Sequence, residues 1–315
     1  SFLSKADSSQ GIWNVDTDRP KRPVWRFELK RLMFLALIAS IPLHLAAAGA
    51  ALPLAEADTA PNSSWQQVSP FDARNYDAQA ERELLKKANV DRARAGLPPL
   101  KMDAGLVRAA RKHAAEMAAQ KHISHQFSGE PSPTTRIASA SSLHLEVTGE
   151  NVAMAANIEQ AHDALMASPP HRDNLLSPKF NVAGFGVFRQ GHMLYVAQDF
   201  GQSMATYSVQ QAQALVSDSV EQLRAQAKMP RLQRVNDSDV QSSACAMAQA
   251  DSLGATSPAP GTYMLRYTSM KPESLPSEIS KVIAQRGLHT YSAGTCYART
   301  QKYPHGAYWV VLVFY

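Results

Sequence analysis

Apolar residues recur at four-residue steps from Tyr76 onward, at Ala80, Leu84 and Ala88, which predicts an amphipathic helix that stops where Gly96, Pro98 and Pro99 break the pattern. A second helix opens at Asp103, whose carboxylate suits an N-cap, and carries Leu106, Ala109, Ala110, His113, Ala114 and Met117 on one stripe. Residues 127–142 turn to Ser, Pro, Thr and Gly and read as an irregular loop. A third helix fits Ile158, Ala161, Leu165 and Met166 and must end before Pro169-Pro170. Two strands, 182–188 and 193–200, close the unit around a Gln190-Gly191 turn. Helices followed by few strands predict an α/β (α+β) sheet flanked by helices, not a doubly wound array.

Beyond Gly201 the pattern returns in weaker form. A Gln/Ala-rich helix over about 208–228 reads as a link between units. Met229-Pro230-Arg231-Leu232 then echoes Leu97-Pro98-Pro99-Leu100, and a helix over 240–250 stands where the second helix stands relative to its own proline. Ala293-Gly294 and the strand over 308–315 echo Ala183-Gly184 and the strand over 194–200, so residues 230–315 read as a smaller, degenerate repeat of 76–204.

Upstream, Arg26, Lys30 and Arg31 precede the apolar run 32–41 and the small residues 46–51, with A-x-A sites at Ala48-Gly49-Ala50 and Ala55-Glu56-Ala57. This describes a signal peptide over 26–57, hence a secreted, periplasmic or extracellular protein. The alternative is a retained membrane anchor facing outside, since 32–55 is uncharged for long enough to span a bilayer. Residues 1–25 carry no pattern and read as a disordered or spurious extension; 58–75, rich in Pro, Ser, Asn and Gln, read as a linker.

The chain of 315 residues is 45% hydrophobic, enough for one or two cores, and its formal charge of +5 is too small, with no basic stripe among aromatics, to suggest nucleic acid. Its two cysteines, Cys245 and Cys296, lack C-x-x-C spacing; in an oxidising compartment a single disulfide is the simplest account.

Four strings carry the candidate chemistry: Ile123-Ser124-His125, Gly149-Glu150-Asn151-Val152-Ala153, the run from Ser168-Pro169-Pro170-His171 through Arg172-Asp173-Asn174 to Leu176, and Ala183-Gly184-Phe185-Gly186-Val187. In this order, after a helix ending in Gly-Leu-Pro-Pro-Leu, they resemble the bacterial, SCP-like branch of the CAP superfamily of secretory proteins, venom allergens and pathogenesis-related proteins. The resemblance implies an α-β-α sandwich with His125, Glu150 and His171 meeting in a cleft. Eukaryotic members place a second Glu there, and Ser168 stands in that neighbourhood here. The resemblance also implies a binding module for a small hydrophobic molecule, an envelope component or a divalent metal ion, without turnover.

Read without the family, two imidazoles and a carboxylate could hold zinc or another divalent ion and serve a metal-dependent hydrolase or peptidase. A cleft closed by a Glu–His hydrogen bond, or solvated loop histidines, stay open as alternatives, as does a structural envelope role if the anchor is kept. On the metal reading, Glu150→Ala abolishes metal affinity and leaves the fold largely intact. Asn151, Arg172, Asn174 and Gln198 are supporting candidates: Arg172 and Asn174 as a helix cap and ion-pair partner, Gln198 facing either cleft or solvent. His113 reads as a satisfied core histidine, His122 as exposed, and His162 as lying off its helix's apolar stripe; His144 receives no role. No G-x-S-x-G elbow or phosphate-binding glycine loop is present.

Overall fold

The computed structural model describes residues 75–254 and 263–315; the expected signal peptide, anchor, linker and N-terminal extension lie outside them. Two helices match the apolar periodicity: α1 (Ala78–Arg94), capped by Asp77, and α2 (Ala104–Gln120), whose Asp103 carboxylate accepts from Leu106 N at 2.9 Å. Between them lies the two-residue strand β1 (Lys101–Met102).

The region expected to be an irregular loop contains a helix, α3 (Pro133–Ala140), started by Ser132 and Pro133 and burying Arg136, Ile137 and Ala138. A twelve-residue strand follows, β2 (His144–Ala155), which the polar and glycine content of Thr148-Gly149-Glu150-Asn151 conceals in the sequence. After α4 (Ile158–Ala167), the Pro169-Pro170 pair starts a short helix, α5 (Pro169–Leu175), because proline is well suited to the first turn. The strands β3 (Val182–Gln190) and β4 (Met193–Met204) pair antiparallel across the Gly191 turn.

The sheet order is β1-β3-β4-β2, with β1 parallel to β3. Strand alternation divides its side chains between two cores. Phe185, Val187, Val196 and Phe200 pack with α1 and α4, whereas Val152, Tyr195 and Ala197 pack with α2, which gives an α-β-α sandwich. On the α2 side, a Cβ at Gly184 would collide with the backbone of Leu106 and Val107, so glycine there permits the close approach of helix to sheet.

The second half has the same plan. The helix expected as a link, α6 (Val209–Gln226), instead buries Ala212, Val216 and Val220 in the second core and occupies the place of α1. It is followed by β5 (Gln233–Arg234), α7 (Ser238–Gln249), β6 (Tyr263–Ser269), α8 (Ile279–Ile283), β7 (Thr290–Ala298) and β8 (Ala307–Phe314). The sheet order β5-β7-β8-β6, with β5 parallel to β7, reproduces that of the first sheet.

Individual side chains repeat as well. Buried Arg92 donates to Pro98 O, Leu175 O and Ser177 O; buried Arg224 donates to Pro230 O, Ile283 O and Gln285 O. Leu100 N is bonded by the side chain of Asn89, and Leu232 N by that of Glu221, eleven residues back in each case. Cys245 on α7 and Cys296 on β7 are disulfide-bonded, 51 residues apart, which in the chain-entropy account contributes about 4 kcal/mol to the smaller unit.

Candidate functional site

Three segments converge at β2, an edge strand of the first sheet. Glu150 lies on β2 with its side chain almost fully buried. His125, in the loop after α2, places Nδ1 2.9 Å from Glu150 Oε1, and its side chain is 43% exposed. Arg136, on the buried face of α3, donates Nη2 to Glu150 Oε2 and Nη1 to the carbonyls of His125 and Pro131, both at 3.0 Å. His171, the third residue of α5, has Nδ1 2.9 Å from Ser168 Oγ. His125 and His171 are close enough for the charge of one to act on the other, and each has its own partner.

Electrostatics follow from these contacts. Burial alone would raise the Glu150 pKa, but the His125 hydrogen bond and the charge of Arg136 hold it below the ordinary carboxylate value, so Glu150 is ionised. Burial, with the charge of His125 as a second cause, lowers the His171 pKa and keeps that ring neutral near neutral pH. Across the strand pair, Asp199 stands in register with Glu150, buried, and no group donates to either of its oxygens. Burial and the neighbouring Glu150 charge push its pKa well above the usual range, so the neutral acid is the form that sits there.

The next register pair, Asn151 and Gln198, faces the other side of the sheet. Asn151 Nδ2 donates to His171 O at 3.0 Å and to Gln198 Oε1 at 3.2 Å, which fixes α5 against β2. Gln198 is fully buried, accepting from Asn151, and does not face solvent. Asn174 Nδ2 donates to Asn151 Oδ1 at 2.9 Å and to Glu150 O at 3.3 Å, so it braces the strand and caps nothing. Arg172 is exposed on α5, whose N-cap residue is Ser168, and it forms none of the ion pairs found among the described residues.

His113 is the satisfied core histidine the pattern suggests: buried, with Nδ1 2.7 Å from Glu130 and Nε2 2.7 Å from Ser124 O. His122 is exposed. His162 is buried and bonded to Asp91 at 2.7 Å, because α4 leans on α1 at that point. His144 is buried on β2, edge-on to Tyr297 and Tyr308 of the second unit.

Among the described residues, no three His, Cys, Asp or Glu side chains are arranged to hold a metal ion. One oxygen of Glu150 is taken by a buried guanidinium, which competes directly with a cation for that carboxylate. A buried Glu150 that neutralises Arg136 also makes Glu150→Ala a destabilising change, contrary to the expectation of an intact fold. Reading the sequence alone missed Arg136, Glu130 and Asp199. Only Asp199 left a signal there, as a lone acid inside the apolar run 194–200.

The family model for the cysteine-rich secretory protein family, CAP, matches residues 85–210. These residues are a CAP domain. The YkwD protein of Bacillus subtilis is 30% identical over 112 residues, 35% of this chain and 43% of that protein, so the chain spans less than half the length of this relative. Among solved structures, an outer surface protein of Borrelia burgdorferi is 19% identical, with a TM-score of 0.38, over 40% of this chain and 95% of that one. An extracellular protein containing a SCP domain from Bacillus anthracis is 23% identical, with a TM-score of 0.35, over 44% of this chain and 45% of that one. No helix among the described residues is long and apolar enough to cross a membrane.

In the second unit the site has no counterpart. Gly184, Asp199 and Glu150 lie side by side in the first sheet; Gly294, Val311 and Arg266 occupy those places in the second. Among the described residues, the arrangement around Glu150 is confined to the first unit.

Proposed function

We propose that this protein is a CAP-domain binding module acting outside the cell membrane, and that its cleft takes a polar component of the cell envelope. The observation that carries this reading is the presentation of His125: Glu150 and Arg136 fix one side of the ring, and the other side is open to solvent. With His171 and the Ser168 hydroxyl close by, the cleft offers imidazole and hydroxyl groups, which suit the carboxylates and hydroxyls of a sugar-based ligand. A groove of about 810 Å³ between α1 and α4 is lined by charged side chains, Arg82, Glu83, Lys86, Lys87, Asp91 and Arg94 among them, together with Val90 and Met166.

A metal-dependent hydrolase is the weaker reading, since Glu150 is already committed to Arg136. The test is an NMR titration of the histidine ring signals with soluble acidic glycan fragments of an envelope, with a fatty acid and with zinc in parallel. Glycan-induced shifts at His125 and His171, lost in His125→Ala, are expected. Fatty-acid binding with both rings unmoved would overturn the polar cleft, and tight zinc binding lost in His125→Ala/His171→Ala would restore the metal.

A further inference from the structure

A serine at a helix N-cap ordinarily accepts a hydrogen bond from the second or third backbone N–H of the helix. At α5 the first two positions are Pro169 and Pro170, which have no N–H, and Ser168 makes no capping bond with its side chain. Its hydroxyl lies instead 2.9 Å from His171 Nδ1. Both residues are half-buried, so neither is closed off from solvent. The His171 backbone is pinned by Asn151, and its neutral ring can accept the serine proton. A hydroxyl bonded to a neutral imidazole, accessible and not consumed by a structural bond, is the arrangement an activated nucleophile needs.

We propose that Ser168 and His171 form a nucleophile–base pair that accepts an acyl group from small carboxylic esters, a metal-free activity in the CAP cleft. Ser168 Oγ attacks the ester carbonyl carbon while its proton passes to His171 Nδ1. The bond from carbonyl carbon to leaving oxygen breaks, and His171 returns the proton to the departing alcohol. Water then attacks the acyl-serine, giving its proton to His171; the acid leaves, and Ser168 regains its hydrogen from the same ring. The group available to the tetrahedral oxyanion is the His125 ring, whose Nδ1 is held by Glu150. No acidic side chain among the described residues bonds the His171 ring, so turnover is slow compared with a full triad and the acyl-serine persists long enough to detect.

The test is reaction of the full chain with a fluorophosphonate probe, read by intact mass and peptide mapping, together with the burst of p-nitrophenol from p-nitrophenyl acetate. One adduct on Ser168 is expected. Labelling should be at least about tenfold slower in His171→Gln and absent in Ser168→Ala, whose far-UV spectrum and melting curve should match the parent. An unlabelled parent, or equal labelling of a folded Ser168→Ala, overturns the assignment. Labelling without any glycan response leaves this inference standing and removes the preceding reading.

Discussion

At the scale of single residues, the cleft depends on which of two adjacent carboxyl groups carries the charge. Glu150 is bonded to Arg136 and His125 and has His113 Nε2 3.9 Å away; Asp199, one strand over, has no donor at all. Glu150 therefore holds the negative charge and Asp199 keeps its proton. The two groups contribute to stability with opposite signs. The Glu150 contribution is present above the ordinary carboxylate pKa and is lost as pH falls through its depressed value. For Asp199 the unfolded chain loses its proton above about pH 4 while the folded chain retains it, so its cost grows as pH rises. Asp199→Asn should thus gain stability relative to the parent between acidic and neutral pH, whereas Glu150→Gln, which leaves Arg136 with Glu130 at 3.4 Å as its remaining carboxylate partner, should lose about 3 kcal/mol. Urea denaturation across that range checks both, and a pH-independent Asp199→Asn difference would show that Asp199 is ionised.

At the scale of elements, the cleft rests on α3, and α3 is held by the second unit. Arg299, just after β7, donates to Ser141 O at 2.8 Å and to Ala138 O, at the C-terminal end of α3, where unpaired carbonyls and the helix dipole favour a cation. Arg136 projects from the same short helix to Glu150 and to the carbonyl of His125. Removing the Arg299 guanidinium should loosen α3 and let His125 move. Arg299→Ala is expected to reduce hydrogen-exchange protection over residues 133–140, shift the His125 ring signals and cost about 1–3 kcal/mol. Unmoved His125 signals in a destabilised variant would confine Arg299 to a structural role.

At the scale of the whole molecule, the two sandwiches meet in a seam that contains His144, His305, Arg299, Tyr297 and Tyr308, with Lys271 and Glu146 3.4 Å apart. Burial, then the charges of Arg299 and His144, push the His305 pKa down to about 4. A histidine with a depressed folded-state pKa is neutral in the fold and protonated in the unfolded chain below about 6.5, so its stability contribution is full above that value and falls as pH drops toward 4. The loss over this window is on the order of 3 kcal/mol for a group this buried. Melting curves at pH 7 and pH 4 should show a smaller acid loss for His305→Gln than for the parent; equal losses would place the acid sensitivity elsewhere.

Much of this architecture was legible along the chain. The apolar stripes of α1 and α2, the Asp103 cap, the Gly191 hairpin and the echo of Leu97-Pro98-Pro99-Leu100 in Met229-Pro230-Arg231-Leu232 are local or periodic features, and local features survive in a linear reading. The strings holding His125, Glu150 and His171 pointed to the cleft for the same reason. The strand β2 and the helix α3 were not legible, because the polar residues that build the site, Glu150 and Arg136 among them, contradict the burial pattern of the elements that carry them. Their burial is made tolerable largely by each other, across fourteen residues, and pairing at that distance has no periodic trace. The ionised member of the carboxyl pair, the commitment of Glu150 to Arg136, the Ser168–His171 contact and the hold of Arg299 on α3 were likewise decided by tertiary structure, since each depends on which charges and donors the folded chain brings within a few ångströms of one another.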